Sequence, residues 1–186
     1  MADPPHSAPE TSSQDPAAPW FIDFEASGLG ADGFPIQVAW GRDGQVVECW
    51  LIRPEPSWRM DGWDPAAERI HGIPRGRLES GRTAAWVAKR MNEQLRGSSV
   101  YADGLPYDRI WLEQLFACSG QTCAFSLEDF DELIYRVASP HLLHRVGWRE
   151  QLRALAVARL KGLQWHQADS DVRRLMEMYR IAASRR

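Results

Sequence analysis

Three acid-bearing segments, far apart along the chain, carry the residue types of a single cation site. The first is Asp23-Phe24-Glu25, inside Trp20-Phe21-Ile22-Asp23-Phe24-Glu25-Ala26-Ser27-Gly28-Leu29. The second is Tyr101-Ala102-Asp103-Gly104-Leu105-Pro106-Tyr107-Asp108, and the third is His166-Gln167-Ala168-Asp169-Ser170-Asp171. Strand alternation sets Asp23 and Glu25 on one face and the apolar Ile22 and Phe24 on the other. Two like charges side by side at the end of an apolar strand repel each other. A stable fold tolerates that pair best when a cation sits between them. Hard divalent cations such as Mg²⁺ are held by oxygen ligands of this kind.

Four carboxylates and one histidine suit phosphodiester hydrolysis with two bound cations. Two Mg²⁺ ions, roughly 4 Å apart, stabilise the attacking and leaving oxygens of an in-line displacement, and Mn²⁺ can substitute. In this arrangement Asp23 bridges both ions, and Glu25, Asp108 and Asp171 complete their shells. Histidine is the side chain suited to proton transfer near neutral pH, so His166 can take the proton of the attacking water. His166 and Asp171 are five residues apart. On one continuous helix they would point about 140° apart, at roughly 100° per residue. They converge only if His166 lies in the loop before the helix, which Gly162-Leu163-Gln164-Trp165 allows. Asp171 then falls in the helix's first turn, where the dipole favours a carboxylate. Asp169 reads as a second partner of that dipole.

The elements that must position these groups are legible in outline. Residues 20–25 read as a strand, and Ser27-Gly28-Leu29-Gly30 with Asp32-Gly33 as a turn. Phe34–Trp40 and Gln45–Ile52 read as two further strands joined by Arg42-Asp43-Gly44, a strong hairpin signal. A short helix is expected over Pro65–Ile70, closed by His71-Gly72-Ile73-Pro74. Thr83–Leu95 reads as a helix, Ser98–Ala102 as a fourth strand and Tyr107–Phe116 as a helix. Ser126-Leu127-Glu128-Asp129 reads as a helix start with Ser126 as N-cap, followed by Leu127, Phe130, Leu133, Ile134 and Val137 at helical spacing. Residues near 141–161 and 168–183 give two more helices. The order implies an α/β layer fold: a mixed sheet with a three-strand antiparallel meander, its first strand central, flanked by helices.

Composition bounds the rest. At 186 residues the chain fits one domain, 19–186, behind a Pro/Ala/Ser-rich tail, 1–18, expected to be disordered. A hydrophobic content of 44% supports a packed core. No apolar run approaches the roughly 20 residues of a membrane span, and no secretory leader is evident. Cys49, Cys118 and Cys123 are odd in number and lack metal-ligand spacing, so reduced thiols in a cytoplasmic protein are expected. The net charge of −3 argues nothing about nucleic acid by itself. Arg136, Arg145, Arg149, Arg153, Arg159 and Lys161, however, face a single acid after Glu132, namely Glu150. On charge alone, a phosphate-following stretch and a solvated helix face both remain open.

The three segments resemble the exonuclease motifs of the DEDDh group of 3′→5′ exonucleases, which includes RNase T, oligoribonuclease and polymerase proofreading subunits. Asp23-Phe24-Glu25 with Ser27-Gly28-Leu29 resembles the first motif. Tyr107-Asp108 before Arg109-Ile110-Trp111-Leu112 resembles the second, and His166-x-Ala168-x-x-Asp171 the third, in the histidine subclass. Ile70-His71-Gly72-Ile73 resembles a segment common in the group between the first two motifs. The resemblance spans about 20–183. It implies an RNase H-like fold, two divalent metals, a single-stranded 3′ end as substrate and 5′-mononucleotides as products. A homodimer, as in RNase T-like members, follows by analogy alone. Two departures stand out: Ala26 takes the place of a usual Thr, and Gly104 the place of a usual Asn. Asp103 is then a helper of Asp108 or its rival as ligand; the spacing of Tyr107-Asp108-x-x-Trp111-Leu112 favours Asp108.

Around the acids, Ser27, Gly28, Leu29, Phe24, His71 and Trp165 are the candidate substrate contacts. Plainer roles stand beside them. Phe24 and Phe34 suit a core and His71 a loop-packing histidine, whereas Leu29 suits the pocket wall and Trp165 a base contact. The expected activity is 3′→5′ hydrolysis of single-stranded ends, with RNA slightly favoured because the domain stands alone. A proofreading or repair DNA exonuclease is the rival enzyme. A catalytically inactive nucleic-acid-binding module on the same fold is the rival from another class.

Overall fold

A computed structural model describes residues 18–30, 32–163 and 166–184. Five strands form one mixed sheet: β1 (Trp20–Ala26), β2 (Pro35–Gly41), β3 (Glu48–Leu51), β4 (Ser99–Ala102) and β5 (Ser126–Asp129), in the spatial order β3-β2-β1-β4-β5. The pairs β1–β2 and β2–β3 are antiparallel, and β1–β4 and β4–β5 are parallel. The expected meander with its first strand central is therefore present. Its hairpin closes where Gln45 N–H donates to the Arg42 carbonyl at 3.1 Å, with Gly44 at φ 76°, a conformation glycine adopts without strain.

The helices are α1 (Pro65–His71), α2 (Ala84–Leu95), α3 (Leu105–Ser119), α4 (Phe130–Val137), α5 (Pro140–Leu143), α6 (Trp148–Arg159) and α7 (Ala168–Ala183). Alternation on β1 divides the core in two. Trp20, Ile22, Phe24 and Ala26 pack with Val87, Met91 and Leu95 of α2 and Trp111 and Leu115 of α3. Phe21 faces the opposite way, onto Phe130, Val172, Leu175 and Met178 of α4 and α7. Ile22 is fully buried; truncating it to Ala should cost about 2–5 kcal/mol. Asp23 and Glu25 continue the Phe21 face toward the strand's end.

Two segments differ from the sequence expectation. Ser126–Asp129 is not a helix start but the edge strand β5, paired with β4 from Ser99↔Ser126 to Ala102↔Asp129. The helix cap is Asp129, whose carboxylate accepts from Asp131 N–H at 2.7 Å and Glu132 N–H at 3.3 Å. Only Leu127 of the four is buried, so nothing in the local pattern marks a strand. Its pairing with a segment 27 residues away decides it. The stretch read as one helix near 141–161 is broken by Gly147 at φ 68°, which separates α5 from α6.

Candidate active site

Strand β1 supplies two acids from the middle of the sheet. Its register with β2 shifts between Glu25 and Ala26, and such irregularities re-aim side chains beside functional sites. Beyond Phe21, β1 has no β4 partner. The Phe24 backbone instead hydrogen-bonds to Asp108. Asp108, in the first turn of α3, also accepts from Gly104 N–H at 3.1 Å. That bond ties the helix start to the acid and satisfies one amide left orphaned at the helix N-terminus.

The third segment reaches the site through two glutamines. Gln37 lies directly across from Glu25 on β2, so both side chains share the α7 face. The Gln37 amide oxygen accepts from Ala168 N–H at 3.1 Å, which anchors the first turn of α7 over the sheet. Gln167 donates through Nε2 to the His71 carbonyl. Between these anchors and the loop, His166 is exposed and adopts φ 55°, the only positive φ of a non-glycine residue among the described ones. Sparsely populated backbone of this kind concentrates at functional sites. His166 precedes the helix, as convergence with Asp171 requires, and its charge is felt at Asp171.

One ligand oxygen each from Asp23, Glu25 and Asp171 lies within 4.8 Å of the others. Asp108 stands outside that trio, on the α3 wall of the cleft, and presses electrostatically on Asp23 and Glu25. Burial holds the Asp23 carboxyl well above the ordinary carboxylate range; Asp108, Asp171 and Glu25 add to the effect and Arg174 opposes it. Glu25 is pushed up to about 8 by burial, then by Asp171 and Asp108. Asp108 rises to about 6 through burial, against the bonds from Gly104 and Phe24. Burial also raises Asp171, with Arg174 and His166 acting the other way. An all-oxygen donor set with excess negative charge fits a hard divalent cation.

A cleft of about 220 Å³ opens beside the acids. Phe24, Ala26, Gly28, Leu29, Ala67, Ile70, His71, Tyr107 and Trp111 line it, together with Asp23, Glu25, Gly104 and Asp108. Leu29, Ile70 and Tyr107 are exposed apolar side chains at this wall. Ser27 lies beneath the loop and is fully buried; its hydroxyl accepts from Phe34 N–H at 3.0 Å and donates to the Gly62 carbonyl at 3.3 Å. Gly33 closes the same loop so tightly that a Cβ there would fall 2.1 Å from the Gly28 carbonyl oxygen. Phe34 is core, stacked on Trp58. His71 is buried, with Nδ1 accepting from Ile73 N–H at 3.0 Å and Nε2 lacking a partner. Its burial lowers its pKa, against the nearby Glu68. Trp165 lies outside the described residues. Asp169 sits in the first turn of α7 and approaches Arg173 at 4.0 Å.

Asp103 takes a different role from Asp108. It forms ion pairs with Arg149 and, at 3.7 Å, with Arg174. Arg174 in turn pairs with Asp171. Sequence reasoning missed Arg174, Gln37 and Gln167. Arg174 follows Asp171 at the i+3 spacing of helical ion pairs, a signal present in the sequence. The contacts of Gln37 and Gln167 had none.

No protein-family model matches the chain, and no curated protein matches it significantly. Solved structures match its fold. A 3′-exonuclease, in a structure of 3′-end-specific recognition of a histone mRNA stem-loop, aligns with a TM-score of 0.63 at 13% identity, over 90% of this chain and 64% of that one. A full-length 3′-exonuclease gives 0.63 at 14%, over 90% and 61%. The nuclease domain of 3′hExo, a DEDDh family member bound to rAMP, gives 0.62 at 16%, over 87% and 90%. The chain thus spans less than two thirds of the first two proteins and most of the third. The fold is the RNase H-like fold of these exonuclease domains.

Proposed function

We propose that this chain is a divalent-metal-dependent 3′→5′ exonuclease that releases 5′-mononucleotides from single-stranded nucleic acid ends. The observation that carries the reading is the convergence of Asp23, Glu25 and Asp171 within 4.8 Å, beside Asp108 and an apolar cleft. Asp23, Glu25, Asp108 and Asp171 would hold two Mg²⁺ ions, or Mn²⁺ in their place. Such ions supply a nucleophilic water at neutral pH and stabilise charge on the transferring phosphate.

The chain's own residues do the rest. The terminal base lies against the wall of Phe24, Leu29, Ile70 and Tyr107, where apolar and aromatic surface accepts any base. Gly28 lets the backbone approach closely, and Ser27 fixes that loop from below. The unpartnered Nε2 of His71 offers a hydrogen bond to the bound nucleoside. An imidazole nitrogen of His166 takes the proton of the attacking water. The water oxygen bonds to phosphorus, the bond from phosphorus to the upstream O3′ breaks, and that oxygen takes up a proton from solvent to become the new 3′-hydroxyl, while protonated His166 returns its proton to solvent. Arg153 on α6 is exposed and close enough to interact with Asp171 and Arg174, which suits a contact to the upstream phosphate. A slight preference for RNA is supported by the neighbours whose structures concern stem-loop RNA and rAMP.

The test uses 5′-labelled single-stranded RNA and DNA with Mg²⁺, Mn²⁺ or EDTA. The protein should shorten the strand from its 3′ end, and Asp23→Ala should not. His166→Ala should keep the metal-induced rise in melting temperature and lose about 10²–10⁴-fold in turnover, the range for general-base removal. No degradation of either polymer in any metal would instead favour a nucleic-acid-binding module.

A further inference from the structure

Beside the acid cluster, five alternating charges run in a line across four elements. Asp131 on α4 accepts from Arg149 Nε at 2.8 Å. The same guanidinium pairs with Asp103, just past β4. Asp103 lies 3.7 Å from Arg174, and Arg174 pairs with Asp171, one turn earlier on α7. The inner members are well shielded: side-chain exposure is 7% for Arg174, 6% for Asp171 and 15% for Asp103. Charges this deep interact strongly, because water screens them little.

The geometry gives one guanidinium two acids and one acid two claimants. Asp171 belongs both to the oxygen trio of the metal site and to the Arg174 pair. A guanidinium and a divalent cation carry charge of the same sign, so each weakens the other's hold on Asp171. Asp103 draws Arg174 away from that contest and is itself held in place by Arg149.

We propose that Arg174 is a positioning residue that competes with the divalent cation for Asp171, and that Asp103 sets the strength of the competition. The inference rests on the metal-binding reading of the site given above. Before the cation binds, the ion pair with Arg174 holds Asp171 in place. When it binds, the guanidinium shifts its share of the pairing toward Asp103. The line of charges makes that shift short, since both acids already lie within ion-pair reach.

The test is the melting temperature of the full chain titrated with Mn²⁺ and, separately, Mg²⁺, at one fixed pH. Asp103→Asn removes one of the acids that Arg174 pairs with and should weaken apparent metal affinity. Arg174→Gln removes the competitor and should tighten it. Each change is expected to be on the order of tenfold, the scale of one partly screened charge interaction. Arg174→Lys retains the charge and should stay on the wild-type side of Arg174→Gln. A merely structural ion pair would move the two variants together, because both break the same line. Equal or same-direction shifts, or none, would overturn the proposal. Should Arg174→Gln fail to fold, Asp103→Asn still decides: unchanged or tighter metal binding by it overturns the idea. A wild-type protein with no metal-induced shift would instead overturn the metal-site reading itself.

Discussion

Two glutamates on neighbouring parts of the same sheet live in opposite circumstances. Glu48, on β3, accepts from Arg90 at 2.6 Å, from the Trp50 indole N–H at 2.7 Å and from the Gln94 amide at 3.0 Å. Burial alone would raise its pKa, but these bonds outweigh it and bring the carboxyl below its ordinary range. Glu25, on β1, has no hydrogen-bond donor among the described residues, and burial, followed by the nearby acids Asp171 and Asp108, raises it to about 8. A structural acid is neutralised by the protein's own donors. An acid left without them, among other acids, keeps a perturbed pKa of the kind that concentrates at functional sites. The same contrast divides Asp103, held between two arginines, from Asp23, surrounded by carboxylates.

The largest expected effect separates the two glutamates by activity. Glu25→Gln should lower turnover by about 10²–10³-fold, the scale of losing one preorganised charge in an active site. It should also raise the melting temperature of the metal-free protein between about pH 4.5 and 8, by removing the cost of keeping that buried carboxyl protonated in the fold. Glu48→Gln should do the reverse: near-normal turnover, with stability reduced by about 1–3 kcal/mol as charge-assisted bonds are lost. If both variants lose stability and keep activity, the distinction between the two acids collapses. Nuclease assays and metal-free thermal melts measure both arms.

The next effect follows from pH. The folded chain keeps the Glu25 proton up to about 8, whereas an ordinary glutamate loses it near 4.5. The folded state therefore binds more protons across that window, and its stability falls as pH rises. Metal-free protein should melt at progressively lower temperature from about pH 4.5 to about pH 8, and Mg²⁺ should flatten the slope. Asp108, raised to about 6, adds to the lower half of the same window. Melting curves with EDTA and with Mg²⁺ check this, and a metal-free melting temperature that rises with pH would break it.

A smaller effect concerns the basic side of the site. Arg153→Ala should raise KM several-fold with little change in kcat, and reduce the salt dependence of substrate binding by about one phosphate contact. A fall in kcat at unchanged KM would assign Arg153 to the chemistry instead.

Much of this molecule was legible in the chain because local rules sufficed. The alternation of Phe21, Asp23 and Glu25 against Ile22 and Phe24 predicts which face each takes, and the structure follows it. Asp-Gly at 43–44 predicts the hairpin because glycine takes the positive φ that its turn requires. Placing His166 ahead of the last helix followed from angular geometry on a helix.

What failed was non-local. Ser126–Asp129 has no strand signal of its own, and only β4 makes it one. Nor does any spacing reveal that Gln37 caps α7 across 131 positions, or that Asp103 pairs with Arg149 and Arg174 rather than joining Asp23, Glu25 and Asp171. The sequence by itself determined the residue types of the site and the elements that carry them, since periodicity and turn chemistry act over a few residues. Only the tertiary structure decided which acids stand uncompensated and which are paired, because partner distance and burial, not residue type, set the energy of a charge.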